Sequence, residues 1–408
     1  MSEKQLYSQY RWVVGILLLL GLAGLNILWF APSPLLTEIM EDLSMNLMQG
    51  GLIMSIVCLM IAVTGIIGGT LTGKLGLKGV FAAGLWLMGI GAIASFAVSS
   101  FYGLFGTRVI IGLGIGLCLP VAGALIMEWF PESERPYINT INSVLPYIAT
   151  TITFTLTVPV YMALNHSWGL TLSTSGVYVA AIAVAWSIWG RGLQTENRSD
   201  GNGHSERNLI KGVLKNREVI LLSIAEAGDM WSFQFLTSYL PTYYITEAGL
   251  SIKSASNITA VFPIAGIIAG LLCGFWMSKT GRRKPFTWPL HLVTFTGTLL
   301  AINGTGFIRL LGVSMAGFGN AGWAPALFTM PMEFENMTPA RVGAVYTVVL
   351  SSGFLAAFIS PWAGGWLGET IGLHGTIFLF SFSSIIAALC TFLMKETGPL
   401  AKNKSITV

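Results

Sequence analysis

Residues 112–128 (GLGIGLCLPVAGALIME) and 317–333 (GFGNAGWAPALFTMPME) decide the fold once they are laid over each other. A single shift of 205 residues carries Gly112 to Gly317, Gly114 to Gly319, Pro120 to Pro325 and Glu128 to Glu333. The same shift carries Gly69 to Gly274, Lys74 to Lys279, Gly76 to Gly281 and Lys78 to Arg283. Ala23 and Gly24 match Ala227 and Gly228 at a shift of 204. Glycine matches are cheap in a chain with 48 glycines, but a proline, a glutamate and basic positions at one offset are not. The chain reads as two homologous halves.

Composition sets the medium in which those halves fold. Of 408 residues, 53% are hydrophobic and 10% charged, and the mean hydropathy is +0.71. Soluble domains carry roughly 25% charged residues, so most of this chain does not face water. A membrane-spanning helix needs about 20 apolar residues. Runs of that length predict twelve spans, at 11–31, 48–73, 79–99, 101–127, 137–162, 170–190, 218–244, 255–278, 286–304, 306–330, 342–366 and 375–394. The first run continues through Phe30 and reads as a span, not as a cleavable leader. Cys58, Cys118, Cys273 and Cys390 all lie within apolar runs, and read as small buried hydrophobes with no disulfide or metal role.

Charge gives the orientation. With the amino terminus in the cytoplasm, nineteen of the Lys and Arg residues fall on the cytoplasmic side. Lys253 alone sits in an outer loop, while Arg108 and Arg309 enter helices from the outer side. The positive-inside rule then predicts both termini cytoplasmic in the cell membrane. The net charge of +4 reflects topology and implies no nucleic-acid partner. The polar stretch 191–217 (RGLQTENRSDGNGHSERNLIKGVLKNR) reads as a cytoplasmic linker, with His204 solvated. It separates a six-helix bundle at 1–190 from a second at 218–408.

These motifs resemble the major facilitator superfamily, over essentially the full length. The loop after helix 2 (GTLTGKLGLK, 69–78) is similar to the family signature G-x-L-x-D-R/K-x-G-R/K-R/K, and the loop after helix 8 (GFWMSKTGRRK, 274–284) is a better copy. Helix 4 carries Arg108, Gly112, Gly114 and Gly116 in the spacing of a second family motif. The resemblance implies an all-α fold of two six-helix bundles related by pseudo-two-fold symmetry, without a cofactor, working as a monomer in the bilayer. It implies close glycine-mediated helix approaches. It also implies gating latches in which Lys74, Lys78, Lys279, Arg282 and Arg283 meet Glu128 and Glu333. As topology determinants alone, the same cations need no acid. The family's Asp is replaced by Gly73 and Ser278, which puts the full charge relay in doubt in both halves.

Ionisable groups inside spans are functional hypotheses by default. Glu226 and Asp229 on helix 7 are three residues apart, on one helical face with Met230, Phe233 and Thr237. Two such acids in a low dielectric can share a proton, as a proton-coupled carrier requires, or bind a cationic substrate. Alternatively, a water-filled vestibule solvates Glu226 while Asp229 bonds a neighbouring helix. Arg108 could anchor a carboxylate or pair with an acid, and by resemblance is linked to proton transfer; snorkelling to the interface is the alternative. The family's cavity is lined mainly by helices 1, 4, 7 and 10. There this sequence offers Asn26, Trp29, Asp229, Phe233, Asn320 and Trp323, with Asn142 and Tyr147 on helix 5. His291 on helix 9 reads as peripheral.

Aromatic rings beside a carboxylate suit an amine, quaternary ammonium or zwitterion, and that substrate class is expected first. The alternative is a small carboxylate held by Arg108, with the helix 7 acids serving only the proton. Helix 5 has no glycine and so lacks the drug-antiporter signature, and helices 2 and 8 carry no embedded arginine. No phosphate-cradling loop, metal cluster or nucleophile–base pair appears, so an ATP-driven or enzymatic reading is not supported. The expected activity is proton-coupled secondary transport of a small organic solute. A non-transporting sensor of the same fold is the reading from another class.

Overall fold

The computed structural model describes residues 9–131, 134–192, 209–335 and 337–399. Most of the expected linker, with His204, lies outside the described residues, as do Lys4, Lys402 and Lys404. The described residues form helices and connecting turns, with no strand among them. In a bilayer core this is the expected outcome, because every backbone N–H and C=O must find its partner inside its own segment.

Twelve crossing helices can be followed among the described residues. They begin with α1 (Arg11–Phe30), after which Leu36–Asp42 forms a short helix. The continuous run Leu47–Ile93 bends at Gly76 (φ 67°, ψ 169°) and supplies α2 (47–75) and α3 (77–93). Then come α4 (Phe101–Trp129), α5 (Arg135–Ala163) and α6 (Trp168–Trp189). The second set begins with α7 (Arg217–Thr246), α8 (Ile252–Thr280) and α9 (Trp288–Asn303). Gly306–Gly322 and Ala324–Glu333, interrupted at Trp323, make α10. Pro339–Leu393 bends at Gly372 (φ 77°, ψ 163°) into α11 (339–371) and α12 (373–393).

Nine stretches among the described residues are long and apolar enough to cross a membrane, one of them folded at Gly372 into two helices. The 16-residue α9 and the interrupted α10 complete the twelve. All twelve predicted spans are present. The outer faces stay apolar, as lipid contact demands: Ile90, Leu156, Ile188, Phe275 and Leu389 are all exposed.

Packing divides the chain into two units, Met1–Ser199 with Leu250–Ser256, and Asp200–Gly249 with Asn257–Val408. Within each unit the same glycines do the same work. A Cβ on Gly112 would lie 3.0 Å from the Val57 Cα, so α4 crosses α2 backbone to backbone. A Cβ on Gly317 would overlap the Phe262 carbonyl, bringing α10 onto α8, and Phe262 is Val57 moved by 205 residues. Likewise a Cβ on Gly24 would meet Val179 of α6 at 2.7 Å, and one on Gly228 would meet Ser383 of α12 at 2.7 Å. Small residues allow such close crossings where hydrocarbon surroundings offer no hydrophobic drive. Gly76 and Gly281 also agree in backbone, at φ 67° and 62°, a left-handed conformation that a side chain resists.

Candidate functional site

The chemistry of the second unit centres on α7. Its start is capped by Asn216, whose side chain accepts a hydrogen bond from the Glu218 amide at 2.9 Å. Two turns on, Glu226 and Asp229 are each 3% exposed. Three residues of α-helix rotate a side chain through about 300°, leaving these two about 60° apart, and that difference gives them different neighbours. Asp229 turns to α9 and α10: its Oδ2 accepts a hydrogen bond from Asn320 Nδ2 at 2.9 Å. Its Oδ1 lies 3.6 Å from His291 Nδ1. Glu226 turns to α11, where a Cβ on Gly353 would lie 2.8 Å from Glu226 Oε1. Its Oε2 is buried without a hydrogen-bond partner among the described residues.

His291 is not peripheral. It is completely buried, its ring centroid 4.7 Å from that of Trp323. Neither ring nitrogen has a hydrogen-bond partner among the described residues, and neither does Asp229 Oδ1. Trp323 is itself 1% exposed, at the joint between the two segments of α10. The expectations at Asp229, Asn320 and Trp323 therefore meet in one cluster, which His291 completes. The signal was in the sequence: an ionisable side chain within a span is a candidate wherever it occurs.

In the first unit the buried charge is Arg108, 2% exposed. Its guanidinium donates to the carbonyls of Leu28 and Trp29 at 2.6 Å each and of Ile53 at 3.2 Å. The first two belong to the last turn of α1, where a cation also meets the negative end of the helix dipole. No acidic side chain pairs with it among the described residues, so it is held inside, not snorkelled out. Guanidinium carries five N–H donors, and three are used here.

Of the remaining candidates, Trp29 meets Arg108 through its backbone carbonyl. Asn26 returns its amide to its own helix, donating to Leu22 O at 2.9 Å. Trp29 stacks on Phe30, with centroids 5.3 Å apart and planes at 4°. Phe233 lies 6.1 Å from Phe262 of α8. Asn142 and Tyr147 are half-buried on α5.

The helix ends differ between the two units. Arg283 and Glu333 form a close ion pair, Nη2 to Oε1 at 2.6 Å, with Nε 3.1 Å from both carboxylate oxygens. Thr397 donates to Glu333 at 2.8 Å, and Glu396 accepts from the amides of Arg283 and Lys284 at 2.7 and 3.1 Å. Lys279 is exposed, over the Trp276 ring at 5.1 Å, and Arg282 is exposed. In the first unit Lys74 is exposed and Lys78 donates to the Ser187 carbonyl at 3.3 Å, neither pairing with Glu128. An ion pair at that end joins Arg11 to Glu134 at 2.9 Å.

Against this geometry the comparisons with known proteins are consistent. The family model for the Major Facilitator Superfamily matches residues 16–335 and 253–407. The probable galactarate/D-glucarate transporter of Bacillus subtilis strain 168 is 24% identical over 377 residues, covering 82% of this chain and 80% of the relative. The hexuronate transporter of the same organism is 25% identical over 408 residues, covering 90% of this chain and 91% of the relative. Among solved structures, a bacterial homologue of the human lysosomal transporter Spinster, inward-facing and unoccupied, superposes with TM-score 0.80 at 14% identity. That match covers 95% of this chain and 97% of the other. A D-xylose–proton symporter superposes with TM-score 0.75 at 13% identity, covering 93% and 97%.

Proposed function

The chain belongs to the Major Facilitator Superfamily, and from that premise we propose that it is a secondary carrier of a small organic anion, a carboxylate of the sugar-acid class. The observation that carries this reading is Arg108, a buried guanidinium that pairs with no acid among the described residues and has two N–H donors beyond its three carbonyl bonds. A fixed cation in a low dielectric favours an anionic partner. The amine or quaternary ammonium expected first has less support. Asp229, one of the two carboxylates that could meet it, is already bonded to Asn320 through Oδ2 and faces His291. The two relatives described above are named as a probable galactarate/D-glucarate transporter and a hexuronate transporter, and all three compounds are acids, which supports the carboxylate alternative.

The mechanism proposed is alternating access between bundles at 1–190 and 218–408, joined by the 191–217 linker. Both termini face the cytoplasm, on the distribution of Lys and Arg. The proton couples through the acids of α7, and Arg283 with Glu333 serves as a latch.

Uptake by proteoliposomes tests the substrate class. D-glucuronate and galactarate should enter with saturable kinetics and choline should not. Arg108→Lys keeps the charge but loses the planar fork, and should raise the half-saturating D-glucuronate concentration about tenfold. Saturable choline flux with no flux of either acid would sink the reading.

A further inference from the structure

We infer that His291 on α9 carries the coupled proton together with Asp229, so that this pair is the proton-binding site of the carrier. The inference rests on the proton-coupled reading above and extends it to a residue outside α7. Its starting point is two unmatched groups facing each other. His291 is completely buried with neither ring nitrogen bonded, and Asp229 Oδ1 is buried and also unbonded. They stand 3.6 Å apart, within reach of ion pairing but too long for a hydrogen bond. An unmade buried hydrogen bond costs about 1–3 kcal/mol. A purely structural pair would be closed, as Arg283 and Glu333 are at 2.6 Å in the same unit.

The surroundings hold the pair in this poise. Asn320 donates to Oδ2, which fixes the carboxylate with Oδ1 toward the imidazole. Trp323 lies against the His291 ring, and Leu290 and Trp323 belong to the same apolar core as Cys273 of α8 and Cys390 of α12. Those cysteines are the titratable side chains that α8 and α12 contribute to this core. His374, at the other end of α12, is hydrogen-bonded at 3.2 Å to Asn303. From α7 the facing charged group is Asp229, with Glu226 one turn before it. From α10 the facing groups are Asn320 and Trp323, which do not titrate. No Lys or Arg pairs with Asp229 or Glu226 among the described residues.

The charge count then follows. Two carboxylates and a neutral imidazole carry two negative charges, and two bound protons bring the cluster to zero. The proton exchanged in the proposed cycle is the one within the Asp229–His291 pair. When a proton arrives from water, the neutral imidazole becomes an imidazolium beside the carboxylate, and the gap closes to a charge-assisted hydrogen bond. When the site opens to the other side, the same proton leaves to water and the imidazole is neutral again. No electron moves, and one proton crosses for each return of the pair.

Two measurements decide it. The first needs no substrate: nitrogen NMR of ¹⁵N-histidine-labelled protein, with His291 assigned by elimination using single variants His166→Gln, His204→Gln and His374→Gln. From about pH 8 to about pH 5, His291 should convert from one neutral tautomer to imidazolium, and Asp229→Asn should abolish that conversion over the same range. A neutral tautomer throughout in the parent protein overturns the proposal. The second compares pH-gradient-driven accumulation of D-glucuronate with its counterflow in proteoliposomes. In His291→Gln the ratio of the two should fall about tenfold, and an unaltered ratio overturns the proposal. Imidazolium formation at His291 without flux of either probe acid refutes the anion-carrier reading and leaves the proton site standing.

Discussion

Arg283 places its guanidinium on a single carboxylate, and Glu333 in turn receives Thr397 from the chain beyond α12. Both partners are mostly buried, with side chains 10% and 16% exposed. Hydrogen bonds to charged groups are worth about 1.5–3 kcal/mol, so Arg283→Ala should lower the melting temperature in scanning fluorimetry by several degrees. Lys279→Ala and Arg282→Ala, both at exposed positions, should move it by no more than the measurement error; equal losses at all three would show that Arg283 is only a topology charge. The sequence named Arg283 and Glu333 through the repeat, and named Asp229 and Asn320 through polarity within spans. It could not say that Glu226 and Asp229 part company, because a spacing of three gives a shared side of a helix but not the helix that each carboxylate meets. The place of His291 is hidden from the sequence for the same reason. A lone histidine near the start of a span looks peripheral until α7 and α10 are set against it.

Elements are positioned by backbone crossings at glycine. In α4 and α10 the 205-residue match of Gly112 and Gly317 reappears as equivalent crossings on α2 and α8. Gly317→Val would push its side chain into the Phe262 carbonyl. Such overpacking costs about 1–3 kcal/mol, so the variant should show a lower melting temperature and reduced yield of folded protein. Gly270→Ala, on α8 with open space at its Cβ, should be tolerated. Equal behaviour of the two variants would remove the crossing as the reason for the glycine. One repeated residue behaves differently in the two halves. Pro120 lies within continuous α4, whereas Pro325 follows the break of α10 at Trp323. Proline removes a backbone donor wherever it falls, but whether the helix runs on depends on its neighbours. Trp323, at the break, lies against His291.

At the scale of the molecule, packing divides the chain into two units, and the boundary between Ser199 and Asp200 falls in the polar stretch 191–217. Segments that close their own cores tolerate a cut in the linker between them. Fragments 1–198 and 199–408, co-expressed, should therefore assemble and restore a substantial part of the D-glucuronate uptake. Loss of uptake with both fragments present in the membrane would count against the two-bundle division.

The sequence by itself determined the medium, the number of helices, the duplication and the family resemblance. Those follow from counts and periods along the chain: apolar runs long enough to span, and a proline, a glutamate and basic positions recurring at one offset. Only the tertiary structure decided which polar groups meet. It gave Arg108 to the carbonyls of Leu28, Trp29 and Ile53, Asp229 to Asn320 and His291, and Lys78 to Ser187 and not to Glu128. A helix fixes the direction of each side chain about its own axis, but the partner depends on the rotation and depth of the helix packed beside it. In hydrocarbon those are set by the glycine crossings between helices, and so the chemistry of the site is written one level above the sequence pattern that made it visible.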